Sequence, residues 1–354
     1  MKKLLLCLGL ILCLLPYARA WDSEGHMLVA EIAYNHLNPV AKAKCDALIA
    51  VSLSNSSTGT SNFITASSWA DDFKTPLGTG IWHYIDLPFS LDGTSLSGFT
   101  PASFDVVQAL HLCVTNLQDP NASLTDQATS LRYLIHFVGD IQQPLHCSTA
   151  ISAAHKSGDA GGNSFPVTGW SELHALWDDG GGFLTDTVNR PLNSTAKNTL
   201  DAKVATIESD YPYNYLANTN LATIPNFMAW AQAGQGLAQT VCYVGITNNT
   251  SPTPAYLTKS INLTEQLMAQ GGHRLADLIN SLYPSNIVAS IPTRIGPNVA
   301  FSWNATPGNT YQVLWKQNLA DPTWTPLTNI LAGSGTILFT DQVTQTQRFY
   351  RIVH

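Results

Sequence analysis

Apolar residues recur at threes and fours through most of this chain, and then, near Pro284, the spacing changes to twos. The first spacing lays side chains along one stripe of an α-helix, and the second along one face of a β-strand. Met27–Leu37, Ala41–Ala50, Phe104–Leu117, Asp126–Ile141, Phe227–Val244 and Ser260–Leu282 carry the helical pattern. Loops rich in Gly, Ser and Thr lie between them at Ser52–Ser61, Ser90–Thr100 and Ser157–Gly169. Val299–Trp303, Tyr311–Trp315, Thr336–Thr340 and Arg348–Val353 alternate, with Pro307-Gly308-Asn309 and Gly333-Ser334-Gly335 as turns. The expected fold is mainly α: a compact multi-helix domain over 21–284, then a small all-β, sandwich-like module over 285–354.

Residues 1–20 are expected to be removed. Lys2 and Lys3 precede the short apolar run Leu4–Leu15, and Ala18-Arg19-Ala20 has the small-x-small form of a signal-peptidase site. The run is too short to span a bilayer comfortably, and no later stretch equals it. A secreted or periplasmic protein beginning at Trp21 is therefore expected. The formal net charge of −7 includes Lys2, Lys3 and Arg19 and no acid before position 21, so the mature chain carries about −10. Such a chain does not grip a polyanion through a broad basic surface; a phosphate-bearing substrate calls for bound metal ions.

Cys45, Cys113, Cys147 and Cys242 remain after the cut, with no CxxC pair among them. Export permits one or two disulfides, four cysteines allow three full pairings, and buried free thiols are the alternative.

The residues with chemistry are histidines and acids at repeated spacing. His136 and Asp140 stand four apart on a helical stretch, as do His174 and Asp178, and His146 follows the helix-ending Pro144. An i,i+4 pair presents two ligands to one ion from one helix face. One such pair is more commonly a surface ion pair; two pairs with a histidine between them point to metal. Upstream lie Trp69-Ala70-Asp71-Asp72-Phe73-Lys74 and Trp82-His83-Tyr84-Ile85-Asp86. Taken alone, Asp71 reads as a helix cap and His83 as a core histidine. Trp21 itself, once cut free, offers an α-amine of pKa near 8 and a carbonyl that together chelate an ion, with His26 close by; a disordered terminus is the ordinary alternative.

In order, these motifs resemble the zinc-dependent single-strand nucleases of fungi and plants, the S-one/P-one type, of the phospholipase C/nuclease superfamily. The likeness runs from Trp21 to about Asn280 and includes Trp-Ala-Asp-x-x-Lys, His-Tyr-x-Asp, His-Phe-x-Gly-Asp-x-x-Gln-Pro-Leu-His, Gly-Gly-Asn and Leu-His-x-x-Trp-Asp. It implies three zinc ions in a helical cleft. Asp71, His83, His136 and Asp140 would hold one; Trp21, His26 and Asp140 a second; His146, His174 and Asp178 a third. It implies hydrolysis of single-stranded DNA and RNA to 5′-phosphate products by a metal-bound hydroxide, with 3′-nucleotidase activity as a further expectation. Asp71 would orient the attacking water and Lys74 would contact phosphate. Tyr84 would stack on a base while Asp86 and Asn163 bond its edge, contacts that splayed single strands permit. By the family's register Asp71 and Asp178 are chosen over Asp72 and Asp179. His36, His111, His155, His273 and His354 match none of its ligand positions and are expected to be non-ligands.

Two other readings remain at this stage. A phospholipase C would use the same cage on a lipid phosphodiester, although Asp86 and the Gly-Gly-Asn segment favour a nucleotide. A non-catalytic zinc-binding or adhesive protein would act mainly through the β module, which is open to a surface, a polysaccharide or a protein partner.

Overall fold

The computed structural model describes residues 21–55, 58–184, 188–213, 226–284, 287–305, 310–333, 335–344 and 347–353. The signal segment 1–20, the turn at 307–309, Ser334 and His354 lie outside the described residues.

Most of the helices begin where short polar side chains satisfy the free N–H groups of a first turn. Helix α1, Ser23–His36, starts at Asp22, whose carboxylate accepts from Gly25 N at 2.8 Å. Helix α2, Pro39–Ile49, is capped by Asn38, with Pro39 at a position needing no donor. Two short helices follow, α3 at Phe63–Ala66 and α4 at Trp69–Leu77. Helix α5 spans Val106–Gln118, two residues later than the apolar pattern indicates, because Asp105 and Gln108 form a reciprocal capping box. Ser123 caps α6, Leu124–Asp140. Then come α7, Leu173–Asp178, and α8, Ser194–Asp210. Helix α9, Phe227–Leu237, widens into a π-turn at Ala238–Cys242, so the stretch expected to be one helix is two pieces. Helix α10, Pro254–Leu282, is the longest of these at 29 residues.

From Leu131 to Asp140 every residue of α6 is buried, which makes it the central rod of the helical part. Helix α10 lies against α1. A Cβ on Gly272 would fall 2.4 Å from Ile32 Cγ2, and one on Gly271 would fall 3.3 Å from Val29 Cγ1, so the bare backbone lets the two helices close. Two short strands pair in parallel, β1 at Pro88–Ser90 and β2 at Thr149–Ile151, with Pro88 opposite Thr149. Each follows a histidine of the candidate site, and their pairing aligns the two segments. Among the described residues no helix is long and apolar enough to cross a membrane.

The C-terminal region is antiparallel β. Strands β3, Thr293–Ile295, β4, Asn298–Asn304, and β7, Thr336–Gln342, form one sheet in the order β3-β4-β7. Strands β5, Thr310–Lys316, β6, Thr325–Leu331, and β8, Phe349–Val353, form another in the order β6-β5-β8. Phe301, Trp303, Tyr311, Val313 and Ile337 make its core. Strand β6 escapes the alternation rule because Pro326 interrupts it; it lies at a sheet edge, where a missing N–H is tolerated.

The cysteines correct one expectation. Cys45, Cys113, Cys147 and Cys242 are all buried and unpaired, and none forms a disulfide. Cys45, Cys113 and Cys147 fill one apolar core and Cys242 another. They act as small hydrophobes, and burial pushes the Cys45 thiol up to about 12.

Candidate metal centre

Chain segments that start far apart in sequence converge at the C-terminal end of α6. His136 and Asp140 sit one turn apart there, with Nε2 to Oδ2 at 3.2 Å. Asp140 Oδ2 also meets His83 Nδ1 at 3.0 Å, while its other oxygen meets His26 Nε2 at 3.3 Å. One carboxylate thus faces two groups of imidazoles. Asp71 Oδ1 stands 3.7 Å from His83 Nδ1 and 3.8 Å from His136 Nε2, and Lys74 Nζ donates to the same oxygen at 3.0 Å. His26 stacks on His136 with ring centres 3.9 Å apart.

A second group lies beside the first. His146 Nε2 and His174 Nε2 face each other at 3.0 Å, and His174 Nε2 is 3.6 Å from Asp178 Oδ1. The β1–β2 pairing places it: Ile85 N donates to His146 O at 2.8 Å, and His146 Nδ1 donates to His83 O at 2.8 Å. Trp21, wholly buried, lies at the joint. Its indole Nε1 donates to Gly139 O at 3.0 Å, and the next residue's N–H donates to Asp178 O at 3.1 Å.

Backbone carbonyls fix the imidazoles. His136 Nδ1 bonds Ser67 O at 2.5 Å and His174 Nδ1 bonds Gly161 O at 2.7 Å, in addition to His146 on His83 O. A ring that gives its Nδ1 proton to a carbonyl keeps a bare lone pair on Nε2. Hence in the His146–His174 pair two lone pairs point at each other with no proton between them. The first group is also short of partners: both nitrogens of His26, His83 Nε2 and both oxygens of Asp140 are buried without a hydrogen bond. A cation resolves both features. Nitrogen and carboxylate donors in this number suit zinc better than magnesium or calcium.

The electrostatics agree. Burial alone would raise the Asp140 carboxyl, but His136 and His83 outweigh it and hold it well below the usual range. Burial likewise opposes ionisation of Asp71, and His136, His83 and Lys74 prevail, bringing it down to about 2. Burial lowers His26 to about 3, helped by His136, and lowers His174 to about 3, helped by His146. Those rings are neutral, the form that binds metal. Asp178 goes the other way: burial pushes it well up, and the Gln143 amide at 2.7 Å offsets this only in part.

The neighbouring acids are committed elsewhere. Asp72 takes a two-pronged bond from Arg190 at 2.7 and 3.0 Å, and Asp179 accepts from Trp170 Nε1 at 2.5 Å. Tyr84 and Asp86 are half-buried, and Asp86 is pushed up to about 6 by burial and by Asp159. Asn163 is half-buried too, and its amide nitrogen donates to Ala160 O at 2.7 Å, which ties part of that side chain to its own loop.

Sequence reasoning passed over four supporting residues: Ser67, Gly139, Gln143 and Gly161. Gly139 matters because a Cβ there would sit 2.8 Å from His26 Nδ1. Gly161 has φ +62°, and a Cβ would sit 2.2 Å from Leu145 O. Gly139, Gln143 and Gly161 stand inside the quoted motifs, so their presence was visible; Ser67 acts only through its carbonyl and left no trace.

A sequence model of the family described as S1/P1 Nuclease matches residues 21–284. The chain belongs to the S1/P1 nuclease family. It is therefore a hydrolase of phosphodiester bonds, in a family that is zinc-dependent in general. Nuclease P1 of Penicillium citrinum is 26% identical over 291 residues, covering 75% of this chain and 99% of its own. Nuclease S1 of Aspergillus oryzae is 28% identical over 309 residues, covering 79% and 99%. Endonuclease 2 of Arabidopsis thaliana is 26% identical over 292 residues, covering 76% and 92%. Among solved structures, an alpha-toxin of Clostridium perfringens aligns over 93% of this chain and 85% of its own at 11% identity with a TM-score of 0.38, too slight a likeness to carry argument.

Proposed function

We propose that the chain is exported, cut before Trp21, and acts as a zinc-dependent endonuclease on single-stranded DNA and RNA, leaving 5′-phosphates. The observation that carries this reading is the pair of buried histidine–aspartate groups, one with orphaned imidazole and carboxylate atoms around Asp140 and the other with the Nε2 atoms of His146 and His174 facing each other at 3.0 Å. Asp71, His83, His136 and Asp140 would hold one ion, and His146, His174 and Asp178 another. Trp21, through its freed amine and carbonyl, would join His26 and Asp140 around a third. Zinc bound there supplies Lewis acidity to water and to phosphate oxygens in a chain whose own charge is negative.

The protein's groups have separate tasks. Asp71 stays ionised and has a second carboxylate oxygen with which to accept a hydrogen bond from the attacking water and hold it in line. Lys74 is positioned by Asp71 to meet a phosphate oxygen as negative charge grows. Tyr84 offers a ring face to a splayed base, and Asp86 and Asn163 offer acceptor and amide atoms to its edge. Removal of a 3′-phosphate from a nucleotide uses the same groups, so 3′-nucleotidase activity is part of the proposal. The region after residue 284 is an accessory module, free to bind a surface, a polysaccharide or a protein.

Purified chain beginning at Trp21 should cleave single-stranded DNA and RNA, lose that activity in a chelator and regain it with zinc. Hydrolysis of phosphatidylcholine alone would replace the nuclease with a lipid phosphodiesterase. Zinc binding with no phosphodiester cleavage at all would leave a binding protein.

A further inference from the structure

A third meeting of imidazoles and acids lies away from the nuclease groups, where the end of α1, the end of α8 and the middle of α10 come together. His36 Nε2 stands 2.5 Å from Glu208 Oε1. The rings of His36 and His273 meet edge to face at 4.7 Å between centres. Ligand atoms from His36, Glu208 and His273 all lie within 4.8 Å of one another. Nothing in the nuclease chemistry uses these residues, and the family's motifs do not select them.

His273 is the telling member. It is 4% exposed, and neither ring nitrogen has a well-formed hydrogen bond; the Tyr211 carbonyl favours a proton on the ring without closing good bond geometry. Buried imidazoles are ordinarily satisfied. The surroundings carry negative charge to match a dication. Glu208 contributes one carboxylate. Asp277, one turn beyond His273 on α10, adds a second carboxyl; burial raises it to about 6, and Tyr213 and His36 oppose that only in part. Tyr213 closes the site from the side, its hydroxyl donating to Asp277 Oδ1 at 2.7 Å and its ring lying against both histidines, with centres 5.8 Å from His36 and 5.0 Å from His273. The His36 and Glu208 side chains are 27% and 25% exposed, so an ion has an entrance from solvent.

We propose that His36, Glu208 and His273 form a further zinc site, structural in role, that ties α1, α8 and α10 together. Two imidazoles and a carboxylate suit a borderline-soft first-row ion and disfavour magnesium or calcium. Asp277 or water completes four-coordination. Zinc bond lengths set ligand atoms roughly 3.3 Å apart, so His36 and Glu208 must part by less than about 1 Å from their present contact. Both are partly exposed side chains at helix ends, where that adjustment is easy. The site requires no freed N-terminus and no substrate.

The test compares zinc counts in three chains beginning at Trp21: wild type, His36→Gln and Glu208→Gln. Each is equilibrated in micromolar free zinc, desalted, and measured by elemental mass spectrometry, alongside cleavage of single-stranded DNA. The expected result is one zinc fewer per chain in both variants, with unchanged cleavage rates. Equal counts in all three chains would overturn the site and leave a His–Glu ion pair beside a packed His273. A defect in the nuclease groups would lower all three counts alike and leave the difference intact, so the two ideas fail separately.

Discussion

Gly139→Ala is a one-carbon perturbation whose effect can be worked out from the structure. Gly139 is helical, one residue before Asp140, and an added Cβ would sit 2.8 Å from His26 Nδ1 and 3.2 Å from His26 Cε1. Ordinary contact is about 3.5 Å or more, so the ring must give by roughly 0.7 Å. It has little room, because it stacks on His136 at 3.9 Å and faces Asp140 at 3.3 Å. Overpacking of this kind costs about 1–3 kcal/mol, and alanine in place of helical glycine returns about 0.5–1 kcal/mol. The metal-free protein should thus lose up to about 2.5 kcal/mol. A displacement of that size exceeds the tolerance of about 0.2 Å for a zinc ligand, so the ion that depends on His26 should bind about 10–100-fold more weakly. Denaturant unfolding in chelator reads the first effect, and competition with a zinc indicator reads the second. Gly236→Ala is the control. Gly236 is also helical, a Cβ there meets nothing within 4 Å, and the change should be neutral or slightly stabilising. If Gly139→Ala matches that control in stability and zinc affinity, the packing argument around His26 is wrong.

Three more outcomes follow from the same structure. A thiol reagent should find no reactive cysteine in the folded mature chain and four after denaturation, since Cys45, Cys113, Cys147 and Cys242 are buried and unpaired; two after denaturation would mean a disulfide. Burial pushes Glu31 up to about 7 from 4.5, so the folded state holds a proton that the unfolded chain releases, and stability is lost as pH rises from 4.5 through 7. Glu31→Gln should therefore gain in Tm relative to wild type between pH 5 and pH 8, and a pH-independent difference would refute the assignment. One extra residue before Trp21 should remove one zinc per chain and most nuclease activity; full activity with an extended terminus would exclude the α-amine as a ligand.

Much of the scaffold is legible in the sequence because helical burial has a local period. The start of α5 moved because Asp105 and Gln108 cap each other, a side-chain event that periodicity does not register. Strand β6 was hidden by Pro326, and only its edge position explains the tolerance. At the candidate site, i,i+4 spacing marked His136 with Asp140 and His174 with Asp178, and the structure brings both pairs together with Asp71, His83, His26 and His146. The choice of Asp71 over Asp72 came from motif register; in the structure Asp71 faces His83 and His136, while Asp72 pairs with Arg190. What sequence could not supply is through-space: the Ser67 and Gly161 carbonyls that set tautomers, and the meeting of His36 with His273 from helices more than two hundred residues apart. The possible disulfides failed for the same reason, since cysteine counts say nothing about which cores the thiols enter.

The central claim is that buried imidazoles and carboxylates around Asp140 and Asp178 hold zinc in a nuclease. Anomalous diffraction at the zinc edge, on crystals of the chain beginning at Trp21, tests it most directly. The account predicts peaks between Asp71, His83, His136 and Asp140, between Trp21, His26 and Asp140, and between His146, His174 and Asp178. Crystals grown with zinc that show no peak within ligand distance of Asp140 or of the His146–His174 pair would contradict it.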